Sequence, residues 1–218
     1  MRTRFITSVS SADAIVEVRF QGAKKGSVPE LAFVGRSNVG KSSLLNALVG
    51  DRIARTSKDP GRTQSINFFD VELDRHTQFL LADCPGYGFA KVSKAQRSDW
   101  MRLLEALLSS RETVRAVLLL LDLRHPPSPE DLEVFRWLAD PDAARRTVVV
   151  VGTKSDKLPK ARRKPAAWAL AKALEIDVDQ VVPTSAETGD GIPDLTRVIL
   201  GLVRSNVGQL SGDVEGAR

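Results

Sequence analysis

The stretch Gly35-Arg36-Ser37-Asn38-Val39-Gly40-Lys41-Ser42 fits the pattern G-x-x-x-x-G-K-[ST], a loop that wraps the phosphates of a nucleotide. The apolar residues 31–34 precede it and predict a buried strand. Residues 42–49 follow it and place three leucines on one face of a helix. A strand, a glycine-rich loop and a helix in this order turn backbone N–H groups toward a polyphosphate. The stretch therefore predicts a nucleoside triphosphate site.

Each fixed position of this loop has a physical reason. Gly35 and Gly40 permit backbone angles and a close approach that a side chain would block. Lys41 places a positive charge among the β- and γ-phosphates, and the hydroxyl of Ser42 suits Mg²⁺. We therefore expect Mg²⁺ as a cofactor.

Composition excludes several other classes of protein. The 218 residues suit one α/β domain with short extensions, and 42% hydrophobic with 27% charged residues is typical of a soluble globular chain. A single cysteine, Cys84, excludes a disulfide framework and a cysteine-rich zinc site. No apolar run approaches the ~20 residues that a membrane helix needs. These features predict a cytoplasmic protein without a membrane partner.

The pattern of apolar segments predicts the fold class. Residues 117–121 and 148–151 are continuously apolar, which is typical of parallel strands buried on both faces. Strands alternate with helices, so we expect a three-layer α/β P-loop NTPase fold. Its mostly parallel sheet should have about six strands, with one antiparallel edge strand and helices on both faces.

The domain is expected to span residues 29–204. Residues 1–28 should form an extension that packs on the domain edge, in which residues 14–18 either add a short strand or pack against that edge. The small, polar residues 205–218 predict a disordered tail.

Two further motifs predict contacts to the γ-phosphate. Thr63 lies in a long polar loop and could bring its hydroxyl to Mg²⁺, ordering the loop only when a triphosphate is bound. Asp83-Cys84-Pro85-Gly86 is a D-x-x-G string at a predicted strand end. There an aspartate can hold Mg²⁺ through water, and a glycine N–H can reach the γ-phosphate.

The segment Thr153-Lys154-Ser155-Asp156 fits [NT]-K-x-D and predicts the base. A carboxylate can accept hydrogen bonds from N1–H and the exocyclic amine of guanine. Adenine presents an acceptor at N1 and has no amine on C2, so Asp156 favours GTP over ATP. Thr184-Ser185-Ala186 follows the last predicted strand, where its backbone could meet the guanine carbonyl oxygen.

These motifs occur in the order found in the G domain of GTPases. The chain resembles the EngB (YihA/YsxC) family of bacterial ribosome-assembly GTPases, within the translation-factor-related GTPases. The discriminating strings are Pro60-Gly61-Arg62-Thr63-Gln64, Pro85-Gly86-Tyr87-Gly88 and Arg124-His125-Pro126. The resemblance covers roughly residues 31–202.

The resemblance implies slow hydrolysis of GTP to GDP and a role in maturing the large ribosomal subunit. Its partners would be ribosomal RNA and ribosomal proteins, not DNA, and normal cell division and septation would depend on it. We expect a monomer. The residues implied in GTP binding are Gly35, Arg36, Ser37, Asn38, Val39, Gly40, Lys41, Ser42, Ser43, Gly61, Arg62, Thr63, Gln64, Ser65, Asp83, Cys84, Pro85, Gly86, Thr153, Lys154, Ser155, Asp156, Thr184, Ser185 and Ala186. The implied metal ligands are Ser42 and Thr63, and the implied catalytic residues are Lys41, Thr63 and Asn38.

Tyr87 follows the D-x-x-G string where Ras-type relatives carry a glutamine that orients the attacking water. Tyrosine cannot do this in the same geometry, so a tyrosine packed elsewhere predicts slow intrinsic hydrolysis. Asn38 resembles the phosphate-loop asparagine that coordinates K⁺ in some related GTPases. K⁺ or a partner protein could therefore complete the site. Arg62 is interpreted as a solvated loop charge in preference to an internal arginine finger.

The net charge of +5 is compatible with RNA binding and does not demonstrate it. A set of basic residues could meet ribosomal RNA phosphates or be ordinary solvated charges. This set comprises Lys157, Lys160, Arg162, Arg163 and Lys164, together with Arg52, Arg55, Lys58, Lys91 and Lys94. Trp100, Trp137 and Trp168 lie on predicted helices and are interpreted as packing residues in preference to base-stacking residues. His125 could be a general base by residue type, but its place at a strand end favours a structural corner.

Three other functions remain open at this point. The chain could be a GTP-gated, non-catalytic scaffold that binds RNA or the ribosome. It could be a P-loop ATPase or a nucleotide kinase, which Asp156 argues against. A membrane-remodelling or tRNA-modifying GTPase is disfavoured, because the sequence shows no long helical stalk or second domain.

Overall fold

The computed structural model describes residues 2–18, 28–51, 53, 65–74, 77–88, 94–141 and 146–204, with side chains from residue 99 onward in the helix that starts at 94. The strands are β1 (Arg2–Val9), β2 (Glu30–Gly35), β3 (Ile66–Asp74), β4 (Thr77–Asp83), β5 (Val114–Asp122), β6 (Thr147–Thr153) and β7 (Val181–Pro183). The helices are α1 (Ala12–Ile15), α2 (Lys41–Val49), α3 (Lys94–Ser110), α4 (Pro129–Ala139), α5 (Lys160–Leu174) and α6 (Ile192–Arg204), with 3₁₀ turns at Ser155–Lys157 and Val178–Gln180.

The described strands form one sheet in the order β1-β3-β4-β2-β5-β6-β7. The strands from β4 to β7 in this order are parallel, whereas β3 runs antiparallel to both of its neighbours. The predicted fold class is confirmed. The sheet has one more strand than expected, since β1 pairs outside β3, and the antiparallel β3 therefore does not lie at the edge.

The extra strand was missed because only one residue of β1, Val9, is buried, and the strand lacks a clear alternation of apolar residues. The possibility that residues 14–18 form a strand is wrong. Residues Ala12–Ile15 form a helical turn instead, in which the side chain of Ile15 is completely buried.

Two apolar layers cover the sheet. In β5, Val117, Leu119 and Leu121 face the layer built with α1, α3, α4 and α5. Leu118 and Leu120 face the opposite layer, built with α2 and α6. The continuous apolar strands are thus buried on both faces, as predicted, and the polar residues at their carboxyl ends are left to form a site.

Arg111 fastens the N-terminal segment to the amino-terminal end of the sheet. Its guanidinium donates two hydrogen bonds of 2.7 Å to Glu30 and bonds of 3.0 Å to the carbonyl oxygens of Ile15 and Val18. The arginine and the glutamate are both buried. Because Glu30 begins β2, this network lies at the opposite end of the strand from the phosphate loop.

The three tryptophans differ in their surroundings. Trp100 and Trp137 are partly buried against the core, as expected. The prediction for Trp168 is wrong, because 65% of this residue is exposed on α5. The buried positions of α5 are occupied by Ala167, Leu170, Ala171 and Leu174.

Candidate nucleotide-binding site

The phosphate loop connects β2, which ends at Gly35, to α2, which begins at Lys41. Asn38 (φ 63°) and Gly40 (φ 107°) adopt the left-handed backbone conformation that makes the turn. Gly40 is the N-cap of α2 and has no side chain with which to cap it. The first N–H groups of α2 are therefore left for a ligand or water to satisfy. Ser42 is half-buried and Ser43 exposed in this first turn.

Lys41 and Asp83 contact each other directly. The Nζ atom of Lys41 donates to Oδ1 of Asp83, and both side chains are largely buried. Asp83 ends β4, which pairs with β2 so that Asp83 lies beside Phe33. The structure thus brings together the cation predicted for the phosphates and the carboxylate predicted for Mg²⁺.

The D-x-x-G segment is docked on the phosphate loop. The N–H of Ser37 donates to the carbonyl oxygen of Tyr87 at 2.8 Å, and the Ser37 hydroxyl donates to that of Gly86 at 3.3 Å. A Cβ atom at Gly86 would lie only 2.9 Å from the Ser37 nitrogen. Close packing on the phosphate loop therefore requires glycine here, a reason that sequence reasoning did not give.

Cys84 is buried beneath this segment with its thiol 3.8 Å from the carbonyl oxygen of Ala82. Burial raises the pKa of the thiol to about 12, which the positive charge of Lys41 only partly opposes. Cys84 is therefore a neutral packing residue at neutral pH.

The side chain of Tyr87 is packed in the core, which is the condition under which slow hydrolysis is predicted. Its hydroxyl donates a hydrogen bond of 2.9 Å to Oδ1 of Asp131, and its ring packs edge-on against Trp100. Burial and then the negative charge of Asp131 raise the pKa of the phenol far above its ordinary value. The side chain is thus neutral and directed at α4.

The predicted base-binding motif is bonded to the phosphate loop. The hydroxyl of Thr153 donates a hydrogen bond of 2.7 Å to the carbonyl oxygen of Val39. The carbonyl oxygen of Leu121 lies 3.2 Å from the same hydroxyl. The Nζ atom of Lys154 donates to the carbonyl oxygen of Asn38 at 2.6 Å. The two motifs, more than a hundred residues apart in sequence, therefore form one unit.

Asp156 is held by two donors. Its Oδ1 accepts a hydrogen bond of 2.7 Å from the Ser185 hydroxyl, and its Oδ2 lies 3.2 Å from Nζ of Lys157. The pKa of the Asp156 carboxyl is lowered, and the hydrogen bond from Ser185 is the largest cause. Burial opposes the shift. Sequence reasoning gave residues 184–186 a backbone role only, and the positioning role of the Ser185 side chain was missed.

The segment that contains Ser185 lies beside the base motif. The N–H of Ser155 donates to the carbonyl oxygen of Thr184 at 3.0 Å, and the N–H of Thr184 donates to that of Gly152 at 2.6 Å. Ser185 itself is buried, whereas Ala186 is half-buried. The two segments thus lie together at the carboxyl ends of β6 and β7.

Asp122 also belongs to this site, although no individual role was predicted for it. It accepts bonds from Arg124 at 2.9 and 2.7 Å and from Lys154 at 3.0 Å. Burial disfavours its charge, but the bonds from Arg124 and Lys154 outweigh burial and lower the pKa of the carboxyl. The N–H of His125 donates to the carbonyl oxygen of Asp122, so His125 lies in the turn that ends β5.

Several predicted residues lie outside the described part of the chain, namely Gly61, Arg62, Thr63, Gln64, Arg52, Arg55, Lys58, Lys91 and the side chain of Lys94. Ser65 is described, and its side-chain oxygen accepts a hydrogen bond of 2.7 Å from the hydroxyl of Ser8. Within the described ranges, no group of three or more His, Cys, Asp and Glu side chains could hold a metal. In the same ranges, no helix is long and apolar enough to cross a membrane.

Comparison with known proteins agrees with this geometry. The model of a family described as 50S ribosome-binding GTPase matches residues 30–154. A probable GTP-binding protein EngB of Gemmatimonas aurantiaca is 46% identical over 177 residues, which cover 81% of this chain and 83% of that protein.

Two solved structures extend this likeness. The crystal structure of a probable GTP-binding protein EngB has a TM-score of 0.65 and 25% identity, covering 81% of this chain and all of that one. Era in complex with MgGDPNP and a segment of 16S ribosomal RNA has a TM-score of 0.64 and 28% identity, covering 82% of this chain and 58% of that one. The chain therefore belongs to the EngB family of P-loop GTPases.

Proposed function

We propose that this chain binds GTP with Mg²⁺, hydrolyses it slowly, and acts as a nucleotide switch in the assembly of the large ribosomal subunit. The observation that carries the proposal is the bonding of the base motif to the phosphate loop through Thr153 and Lys154. It joins a carboxylate suited to guanine and a glycine loop suited to phosphates in one unit.

At the base end, Asp156 accepts hydrogen bonds from N1–H and the amine of guanine, and Ser185 keeps its carboxylate oriented. The remaining residues proposed here are Thr153, Lys154, Ser155, Thr184 and Ala186. At the phosphate end, the proposed residues are Gly35 to Ser43 of the phosphate loop, Gly61 to Ser65 of the following loop, and Asp83 to Gly86.

The residues present fit Mg²⁺. Without a cluster of three metal-binding side chains among the described residues, the ion would take most of its ligands from phosphate oxygens and water. Ser42 and Thr63 are the proposed protein ligands, and Asp83 would bind through water. When bound, Mg²⁺ neutralises charge that develops on the phosphates. Because Lys41 is paired with Asp83, this ion pair has to break before the lysine can contact the phosphates of GTP.

Slow hydrolysis is proposed because Tyr87 is bonded to Asp131 and cannot orient water. The proposed catalytic residues are Lys41, Thr63 and Asn38. Asn38 lies exposed on the phosphate loop, where its side-chain oxygen suits K⁺ as an activating ion.

The family description supports the large ribosomal subunit as the partner. We infer that the chain contacts ribosomal RNA and ribosomal proteins there. The relative Era, bound to ribosomal RNA, supports an RNA contact in particular. We place the protein in the cytoplasm as a monomer, and expect cell division and septation to fail when ribosome assembly is impaired. The packing of Tyr87 also favours a second candidate, a GTP-gated scaffold for which hydrolysis is incidental. In that case a variant that binds GTP without hydrolysing it would still support assembly.

Co-sedimentation with isolated ribosomal subunits tests the proposal. We expect retention on the large subunit with a non-hydrolysable GTP analogue, and little retention with GDP or without nucleotide. Equal retention with the GTP analogue, with GDP and without nucleotide would contradict the proposal. Retention on the small subunit alone would also contradict it. As a matched control, Asp156→Asn should be retained with xanthosine triphosphate in place of GTP.

A further inference from the structure

One face of α5 carries a large aromatic side chain between two lysines. Trp168 is 65% exposed, and Lys164 and Lys172 are both exposed one helical turn before and after it. At 1.5 Å of rise per residue, each lysine lies about 6 Å from Trp168 along the helix axis. The opposite side of α5 is buried in the core, so this face is held in a fixed orientation.

Most of the charge on α5 is unfavourable for the helix itself, although Arg163 pairs with Asp190 at 2.8 Å and Lys172 lies in the last turn, where a cation is favourable. Its 15 residues contain Lys160, Arg162, Arg163, Lys164 and Lys172 but no aspartate or glutamate. Four of these cations lie in the first turn and a half, at the positive end of the helix dipole. Lys160 and Lys164 are also a like-charge pair at i,i+4, which destabilises helices. Local rules broken in this way are typical of a functional surface.

The neighbours of Trp168 leave its ring open. Apart from the two lysines, the exposed residues next to it on α5 are small, namely Pro165 and Ala169. A planar group could therefore approach the ring face without displacing other side chains. An acidic peptide would form ion pairs with the lysines but would leave the face of the Trp168 ring without a partner. A membrane surface would require larger apolar neighbours than alanine.

We propose that this face of α5 binds RNA, with Trp168 stacking on an unpaired base and Lys164 and Lys172 contacting the phosphates on either side. Aromatic stacking combined with flanking positive charge is the chemistry by which proteins hold single-stranded RNA. The proposal rests on the proposed ribosomal function for the source of the RNA. The helix that carries this surface begins four residues after Asp156.

Binding of a fluorescent single-stranded oligoadenylate tests the stacking. Trp168→Ala should weaken binding roughly tenfold, whereas Trp168→Phe should retain most of the affinity. The double variant Lys164→Gln/Lys172→Gln should reduce the dependence of log K on log salt by about 1.4, because each lysine contributes about 0.7 on a single strand. Arg197→Gln, an exposed cation on α6, is the matched control and should change neither. Equal affinity of wild type and Trp168→Ala, or an equal loss on duplex RNA, would overturn the proposal.

Co-sedimentation separates this proposal from the ribosomal function. If Trp168→Ala and wild type are retained equally on the large subunit, this surface does not contact the ribosome, although the proposed ribosomal function stands. If wild type is not retained but Trp168→Ala still loses oligoadenylate, the surface binds RNA and the ribosomal function fails. If Trp168→Ala loses the subunit but binds deproteinised large-subunit RNA as wild type does, the partner is a ribosomal protein, which overturns the RNA assignment. Unchanged GTP affinity and circular dichroism would show that the variant is folded.

Discussion

The hydroxyl of Tyr87 and the carboxylate of Asp131 join the segment after β4 to the start of α4, at 2.9 Å. The other oxygen of Asp131 accepts hydrogen bonds of 2.8 Å from the backbone N–H and the hydroxyl of Ser128, the N-cap of α4. One buried carboxylate thus both caps a helix and holds the residue that follows the D-x-x-G string.

Replacing Tyr87 with phenylalanine removes the hydrogen bond and keeps the ring. The free energy of unfolding in urea should fall by about 1–3 kcal/mol, because Oδ1 of Asp131 is left buried without this donor. Single-turnover GTP hydrolysis should stay within about twofold of wild type, because Tyr87 does not orient water. A loss of about a hundredfold in that rate would instead make Tyr87 catalytic.

Replacing Asp156 with asparagine should reverse the preferred base. We expect GTP affinity, measured by calorimetry, to fall roughly 10²- to 10⁴-fold, because a carboxylate that accepts two guanine donors is lost. Xanthosine triphosphate should bind in its place. Asp190→Asn removes the same charge from the neighbouring loop, where Asp190 pairs with Arg163, and should leave GTP affinity unchanged. Equal GTP affinity in the two variants would refute the guanine assignment.

The monovalent cation tests the role of Asn38. Steady-state turnover should be faster in KCl than in NaCl, and Asn38→Gly should remove the difference. Glycine is the suitable replacement because it keeps the positive φ of this position without strain. Turnover that is equal in both salts, with and without ribosomal subunits, would reject K⁺ as a cofactor.

Cys84 predicts a loss of stability at alkaline pH. Above pH 9 the thiol of the unfolded chain ionises, whereas the buried thiol stays neutral until about pH 12. Rising pH therefore favours unfolding, by about 1.4 kcal/mol per pH unit between these values. The difference in unfolding free energy between wild type and Cys84→Ala should show this slope. A difference that does not change with pH would show that the folded-state pKa is not raised.

Arg111 forms a buried ion pair and Arg204 an exposed one, so substitutions at the two positions measure how burial changes the contribution of an ion pair to stability. Arg111→Ala leaves the buried Glu30 without a cation, and should lower the free energy of unfolding by about 3–5 kcal/mol. Arg204→Ala removes an exposed pair with Asp74 and should cost less than about 1 kcal/mol. Denaturant unfolding of both variants checks this, and similar losses would contradict the distinction.

The sequence predicted the parts of the molecule that follow local rules. The phosphate loop, for example, carries glycines at fixed spacings. The fold class followed from the apolar strands, and the order of the motifs indicated which strand ends would meet. The packed state of Tyr87 could also be anticipated from its residue type.

The remaining features depend on contacts between distant residues, which no local pattern encodes. The bonds of Thr153 to Val39 and of Ser185 to Asp156 join residues separated by 114 and 29 positions. The strand β1 exists because β3 offers it an open edge, and its own sequence is weakly patterned. Trp168 has the residue type of a packing residue, but the smaller side chains of α5 fill the core instead.

The ties made by Arg111 also constrain the order of events during synthesis. Its partners at Ile15 and Val18 are made 96 and 93 residues earlier. At about 5–20 residues per second, the ribosome has to translate for roughly 5 to 20 s before this arginine exists. Until then, Ile15 has no completed core to enter and Glu30 has no cation beside it. The nascent N-terminal segment therefore cannot complete its packing until Arg111 has been translated. Slow translation before residue 111 would prolong the exposure of this segment to chaperones and proteases.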